Sequence, residues 1–331
     1  TPERLRELWE TETGRSKDFW MQLAEIGVPG LLVPEEADGL GLDERDLVLV
    51  LEETGRVALA EPVVTTAVGV GLLVALGREG QAELADRWLP AVARGEARLA
   101  VGHDRSPVVS DAHVADLLLL PDGDELHAVP RDSVQLTHQP ANDQSQRLFT
   151  VEWLPGQATC AARGETGRRL QAEAFDRGAM ACAAQQLGTA QSLIDLGATY
   201  ATQRKQFGVA IGTFQAVKHR LANAKVKLEY ARSVVYRAAH SVALNTPGRS
   251  VDVSMAKWAA GEAALSAAKE SLQVHGAIGY TYEQDLHIWM KRAWSLDLAF
   301  GSGAWHRARV ADAVIDGTLP AETFGYTEPG H

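Results

Sequence analysis

Apolar positions along the chain fall into three textures. From residue 1 to 97 they recur at helical spacing in short blocks. Trp20, Leu23, Ala24 and Ile26 form one apolar face, which Gly27, Pro29 and Gly30 end. Asp38-Gly39 and Gly41 mark a turn. Asp43 then caps a helix in which Leu47, Leu49, Val50 and Leu51 read as buried. Glu61-Pro62 opens a helix through Val74, and another is expected from about Glu79 to Val92. These are packing helices without chemistry of their own.

From 98 to 170 the runs shorten and read as β structure. Leu117–Leu120 and Leu126–Val129 flank Pro121-Asp122-Gly123-Asp124, a hairpin signal. Val134–Thr137 and Leu148–Leu154 are further strands. From 171 to 331 the texture is helical again. Helices are expected over Ala174–Gln203, Phe214–Ala243, Val251–Val274 and Leu286–Ala299, with a last one ending at Ile315. In the second of these, Phe214, Val217, Leu221, Ala224, Leu228, Ala231 and Val235 alternate steps of three and four. That is the core-facing stripe of an antiparallel bundle. The fold class is mainly α with a small β domain: an N-terminal helical domain (1–97), a middle β domain (98–170) and a C-terminal four-helix bundle (171–331).

Composition narrows the function classes. With 331 residues, 46% hydrophobic and 23% charged, the chain has ample material for two or three globular cores. A net charge of -11 argues against nucleic acid as a partner, since phosphate backbones favour basic surfaces. No apolar run is long enough to cross a bilayer, and no secretory leader is read. The two cysteines, Cys160 and Cys182, suggest no disulfide framework, so a cytoplasmic location is expected. His103, His113, His127 and His138 fit no metal-binding spacing and read as core or solvent-facing histidines. The Glu-x-x-His pairs of a di-iron bundle are absent, and Ser266-Ala267-Ala268-Lys269 reads as helix packing.

The informative stretch is Tyr200–Gln215, YATQRKQFGVAIGTFQ, between two long helices. Arg204, Gln206, Phe207 and Gly208 there suit a phosphate carrying a flat base. A guanidinium grips phosphate oxygens bidentately, a ring stacks, and a helix start supplies free N–H groups. The plainer alternative is a helix corner with one solvated arginine.

The order of domains resembles the acyl-CoA dehydrogenases, flavoenzymes that oxidise the α,β bond of an acyl-CoA thioester. RKQFG at Arg204–Gly208 looks like the family's RxxFG motif, followed by Phe214-Gln215. QVHGAIGY at Gln273–Tyr280 looks like its Q-x-x-G-G-x-G-[YF] motif, with Ala277 replacing one glycine. The resemblance implies FAD, held across a subunit interface by Arg204, Gln206, Phe207, Phe214, Gln215, Gln273, Gly276 and Ala277. It also implies an acyl-CoA substrate, an oligomer, and an electron-transfer flavoprotein as the usual electron acceptor.

The chain departs from the family where the base should be. Dehydrogenation needs one carboxylate to remove the α-proton. By motif alignment, one family position for that glutamate is Phe300, in Ala299-Phe300-Gly301-Ser302. The other, just after Phe175-Asp176, is Gly178. An arginine the family often has next is Ala179; Asp176 is kept and falls on the substrate side. The β domain is shortened, and VGHDRSPVVSDAHVAD stands in place of the segment that lines the flavin ring. This pattern resembles the smaller, base-lacking subunit of heteromeric actinobacterial acyl-CoA dehydrogenases, assembled as heterotetramers with a catalytic subunit. Two alternatives stay open. One is a self-sufficient homomeric enzyme with a base relocated to Asp297 or Asp176. The other is a non-redox scaffold that kept the fold.

Overall fold

In a computed structural model, residues 1–318 are described; the final part of the expected bundle domain, 319–331, lies outside them. Helices α1 (Pro2–Trp9), α2 (Lys17–Glu25), α3 (Glu44–Arg56), α4 (Val63–Arg78) and α5 (Ala82–Ala93) come first. The reading of Asp43 holds: it accepts from the Arg45 N–H, and Asp46 returns the bond to form a capping box. Helix α4 is buried nearly all round and runs four residues beyond the expected Val74. Two expected core residues are exposed. Leu49 lies half a turn from Leu47 and Leu51, so it faces out, 53% exposed. Ile26 is 72% exposed because α2 stops at Glu25 and leaves it in the cap.

The middle region holds two small sheets. One has strand order β1 (Leu99–Val101), β3 (Leu117–Asp122), β4 (Glu125–Pro130) and β7 (Cys160–Ala162). The other has β2 (Val109–Ser110), β6 (Leu148–Glu152) and β5 (Gln135–Gln139). Ala100, Leu118, Leu120 and Val129 face the second sheet across one core. Leu99, Leu117, Leu119 and Leu126 face α4 and α5 across another. A strand buried on both faces reads as an unbroken leucine run, which is why Leu117–Leu120 shows no alternation. The hairpin turn is tighter than expected. Asp122 pairs with Glu125, leaving Gly123 and Asp124 as the turn, with Gly123 at φ +58°. Pro121 is tolerated because β1 pairs only with Leu117–Leu119 and asks for no N–H there.

The bundle consists of α6 (Gly164–Gln203), α7 (Gln215–Ala243), α8 (Arg249–His275) and α9 (Leu286–Leu298), with α10 (Gly303–Ile315) docked on α8. Helix α6 starts ten residues before the expected Ala174, with Leu170 buried against the first sheet's inner core. Its seam with α8 is built from alanines such as Ala183, Ala190, Ala260 and Ala264, each 0% exposed. Gly188 allows a closer crossing still: a Cβ there would sit 1.8 Å from the Glu52 carbonyl oxygen of α3. The α7 stripe is buried only from Ala224 onward. Phe214 is exposed, and Val217 and Leu221 are half-buried, because no described element of the chain covers that end.

Candidate functional site

Two separated motifs meet at one end of the bundle. The Arg220–Glu270 ion pair (2.8 Å) ties the start of α7 to the end of α8. Gly197, near the end of α6, lies against Ser271 and Leu221. The Tyr200–Gln215 stretch and the Gln273–Tyr280 stretch are thereby brought side by side.

The first forms an arm. Strands β8 (Lys205–Gln206) and β9 (Val209–Ala210) pair across Phe207-Gly208, with φ +55° and +83°. Positive φ at both central residues is the hairpin geometry that favours Asn-Gly. A phenylalanine at the first position costs about 1–2 kcal/mol. Yet Phe207 packs on almost nothing: it is 92% exposed and only leans edge-on toward Phe214, 6.2 Å away. Arg204 is exposed, with no ion-pair partner among the described residues. Gln206 is exposed, its amide turned back onto the Lys205 carbonyl at 2.7 Å. Phe214 and Gln215 open α7, whose first turn has no side-chain cap and no acidic residue. The positive end of that helix is left unneutralised.

The second motif ends α8. Gly276 has φ +64° and ψ -140°, a conformation essentially reserved for glycine. A Cβ there would meet nothing within 4 Å, so the space above this backbone is open. Gln273 and Ala277 are exposed beside it. An unpaired guanidinium, an uncapped helix start, an exposed ring and an open glycine backbone together fit the phosphates and base of a dinucleotide. Among the described residues nothing covers such a ligand from the other side.

Gly178 and Phe300, the two positions where the resemblance places a base, are neighbours. A Cβ on Gly178 would lie 2.3 Å from the Phe300 ring, so the ring of one position fills the space left by the other. Phe300 is 8% exposed and sits at φ +51°. Its backbone is locked: His306 Nε2 donates to the Phe300 carbonyl (2.8 Å), and the fully buried Lys257 donates to the carbonyls of Asp297 (2.9 Å) and Gly301 (3.1 Å). His103 stacks obliquely on Phe300 at 4.8 Å, and Phe175 meets Trp305 at 5.3 Å. Burial pushes the His103 pKa down to about 4, so the ring is neutral at pH 7. A cavity of about 380 Å³ opens beside this cluster, lined by Val101, His103, Ser106, Trp294, Leu298 and Phe300 among others. Sequence reasoning noted the missing glutamates but not this aromatic plug. The large-for-small complementarity of Phe300 and Gly178 was the signal, and it needs the fold to bring them together.

Neither expected carboxylate reaches that cluster. Asp176 is 0% exposed and lies mid-helix in α6. Its oxygens accept from Arg249 Nε (3.1 Å), Ser250 Oγ (2.6 Å) and Arg309 Nη1 (2.9 Å). Its oxygens are thus committed to two arginines and a hydroxyl rather than turned toward the aromatic cluster. Asp297 turns the other way, toward Gly261 and Gly303, into a separate cavity lined by Trp258, Glu262 and Arg307.

Comparison with known proteins gives the family. The acyl-CoA dehydrogenase N-terminal domain matches residues 2–96 and its C-terminal domain matches residues 165–315. Acyl-CoA dehydrogenase IpdE2 of Mycolicibacterium smegmatis is 33% identical over 295 residues, covering 88% of this chain and 86% of that protein. The chain belongs to the acyl-CoA dehydrogenase family. Its oxidoreductase class and its fold are those expected from the two motifs. The solved Tcur3481-Tcur3483 steroid ACAD superposes with a TM-score of 0.84 at 27% identity, covering 96% of this chain and 94% of that one. The ChsE4-ChsE5 complex from Mycobacterium tuberculosis shares the fold, with a TM-score of 0.83 at 24% identity and coverage of 97% and 93%. Among the described residues no helix is long and apolar enough to cross a membrane.

Proposed function

We propose that this chain is the non-catalytic subunit of a heteromeric, FAD-dependent acyl-CoA dehydrogenase. It completes, across an unlike interface, a flavin site seated mainly in a catalytic partner. The observation that carries the reading is the Phe300 ring packed over Gly178, which leaves no room for a base at either family position. The exposed arm and the open Gly276 backbone point outward, as contacts to a cofactor held by another chain require. Similarity to solved two-protein acyl-CoA dehydrogenase assemblies supports the same reading.

FAD, when bound, would supply the hydride acceptor for oxidation of the acyl-CoA α,β bond. The residues of this chain bind and orient. Arg204 and the start of α7 would neutralise phosphate charge, Phe207 and Phe214 would offer rings to the base, and Gly276 would let the backbone approach. Gln206, Gln215 and Gln273 offer amides for hydrogen bonding, and Ala277 keeps the approach open. The α-proton is taken by the partner. The steroid relative makes a bulky polycyclic acyl-CoA the substrate class to try first, with an electron-transfer flavoprotein as acceptor.

Activity with and without a partner tests this. The chain alone, saturated with FAD, is expected to give no dye reduction with any acyl-CoA. Mixed with its cognate catalytic subunit it is expected to give full turnover. Steady oxidation by the lone chain refutes the proposal.

A further inference from the structure

The middle region carries a second cluster that the flavin reading does not use. Glu125 and His127 are two residues apart on β4, so both side chains leave the same face of the strand. Cys160 of β7 is the cross-strand partner of His127. The register shifts between Leu126 and His127, the kind of irregularity that re-aims a side chain. One donor atom from each of the three residues lies within 4.8 Å of the other two.

The imidazole is already oriented between two partners. His127 Nδ1 lies 3.0 Å from Thr159 Oγ1, and Nε2 lies 3.1 Å from Glu125 Oε2, on a side chain that is 0% exposed. With Nδ1–H donating to Thr159 Oγ1, the Nε2 lone pair is the one that faces Glu125. A metal ion placed there engages all three donors; the thiol's sole hydrogen bond among the described residues is a long one, Cys160 Sγ to the Ala162 carbonyl at 3.6 Å.

We propose that Glu125, His127 and Cys160 form a divalent-metal site suited to zinc. Imidazole, thiolate and carboxylate together are a zinc donor set. Tetrahedral zinc with bonds of about 2.0–2.1 Å places nitrogen and oxygen donors about 3.3 Å apart, close to the His127–Glu125 contact. Small side-chain rotations bring in the sulfur. Glu125 is partly open to solvent, 37% for its side chain, which gives an entry path and room for a water as fourth ligand. Thr159 orients the ring as an outer-shell acceptor, and Trp153 meets it edge-on at 4.9 Å.

The site's role follows from its place. β7 is three residues long and pairs with β4 through two registered residue pairs, just before the chain enters α6. Gln171 of α6 donates to the Glu125 carbonyl at 3.0 Å. A metal bridging Glu125, His127 and Cys160 staples this short edge strand to β4 and so fixes the β region on the bundle. It is independent of the flavin.

The test uses the full chain, stripped with chelator and titrated with Zn²⁺ or Co²⁺. The expected result is one equivalent of metal per chain by elemental analysis, a thiolate-to-cobalt charge-transfer band, and a higher unfolding temperature with metal than without. Cys160→Ser removes the band and His127→Gln lowers affinity at least tenfold, whereas Cys182→Ser, in the bundle, keeps the band. A lack of stoichiometric metal overturns the proposal, as does a band that survives Cys160→Ser. In either case a proton, not a metal, sits between His127 and Glu125.

Discussion

Gly178 and Phe300 share one volume, and replacing Gly178 by alanine tests that directly. The added methyl would lie 2.3 Å from the Phe300 ring, well inside contact distance. The Phe300 backbone cannot retreat, because His306 and Lys257 hold its loop through three carbonyls. Overpacking a filled core costs about 1–3 kcal/mol. Against this, alanine in place of glycine inside a helix gains about 1 kcal/mol. The contact is severe, so the upper part of the overpacking range applies, and Gly178→Ala is expected to destabilise by about 1–2 kcal/mol. Phe300→Leu vacates part of the ring's space. Alone it creates a cavity and costs about 1–3 kcal/mol. Combined with Gly178→Ala it leaves room for the methyl, which then contributes its helix preference without the clash. The double variant is expected to be more stable than the sum of the singles by about 2–3 kcal/mol. Thermal unfolding of the four proteins at fixed concentration reads this as a recovery of several degrees. A neutral Gly178→Ala, or strict additivity, refutes the mutual filling of the two base positions.

Four further outcomes are expected. Arg204→Ala lowers flavin retention in the assembled complex by tenfold or more and leaves the isolated chain's unfolding temperature unchanged; equilibrium dialysis of flavin checks it. Phe207→Gly relieves the positive-φ strain yet weakens flavin binding, so stability of the isolated chain and cofactor affinity move in opposite directions. His103 and His306 are both depressed by burial from 6.5 to about 4. Their neutral forms favour the fold above about pH 6.5, and that stability is lost as pH falls toward 4; His103→Phe is expected to flatten the acid limb of a stability-versus-pH curve. Asp176→Asn strips the counter-charge from Arg249 and Arg309 and is expected to cost about 3–5 kcal/mol of stability, whereas Asp297→Asn leaves turnover of the assembled complex unchanged.

The helical and β textures were legible in the sequence because burial on one face writes a period into the chain. Asp43, the α7 stripe beyond Ala224 and the leucine hairpin all carry that mark. Leu49 and Ile26 misled because an apolar residue next to a stripe looks like part of it. Phe214, Val217 and Leu221 kept the stripe's period although no described residue fully covers them, which suits a surface that another chain buries. The two motifs expected to contact flavin were legible as motifs. Their nearness was not, since it rests on contacts such as Arg220–Glu270 between distant segments. The packing of Phe300 on Gly178, the plug around His103 and the cross-strand approach of Cys160 to His127 had no local signal at all.

The most direct measurement is flavin content. Flavin absorbance per protein would be recorded for this chain alone and for its complex with the catalytic subunit. The account predicts no retained flavin in the lone chain and about one flavin per unlike pair. One flavin per chain in the isolated protein would contradict it.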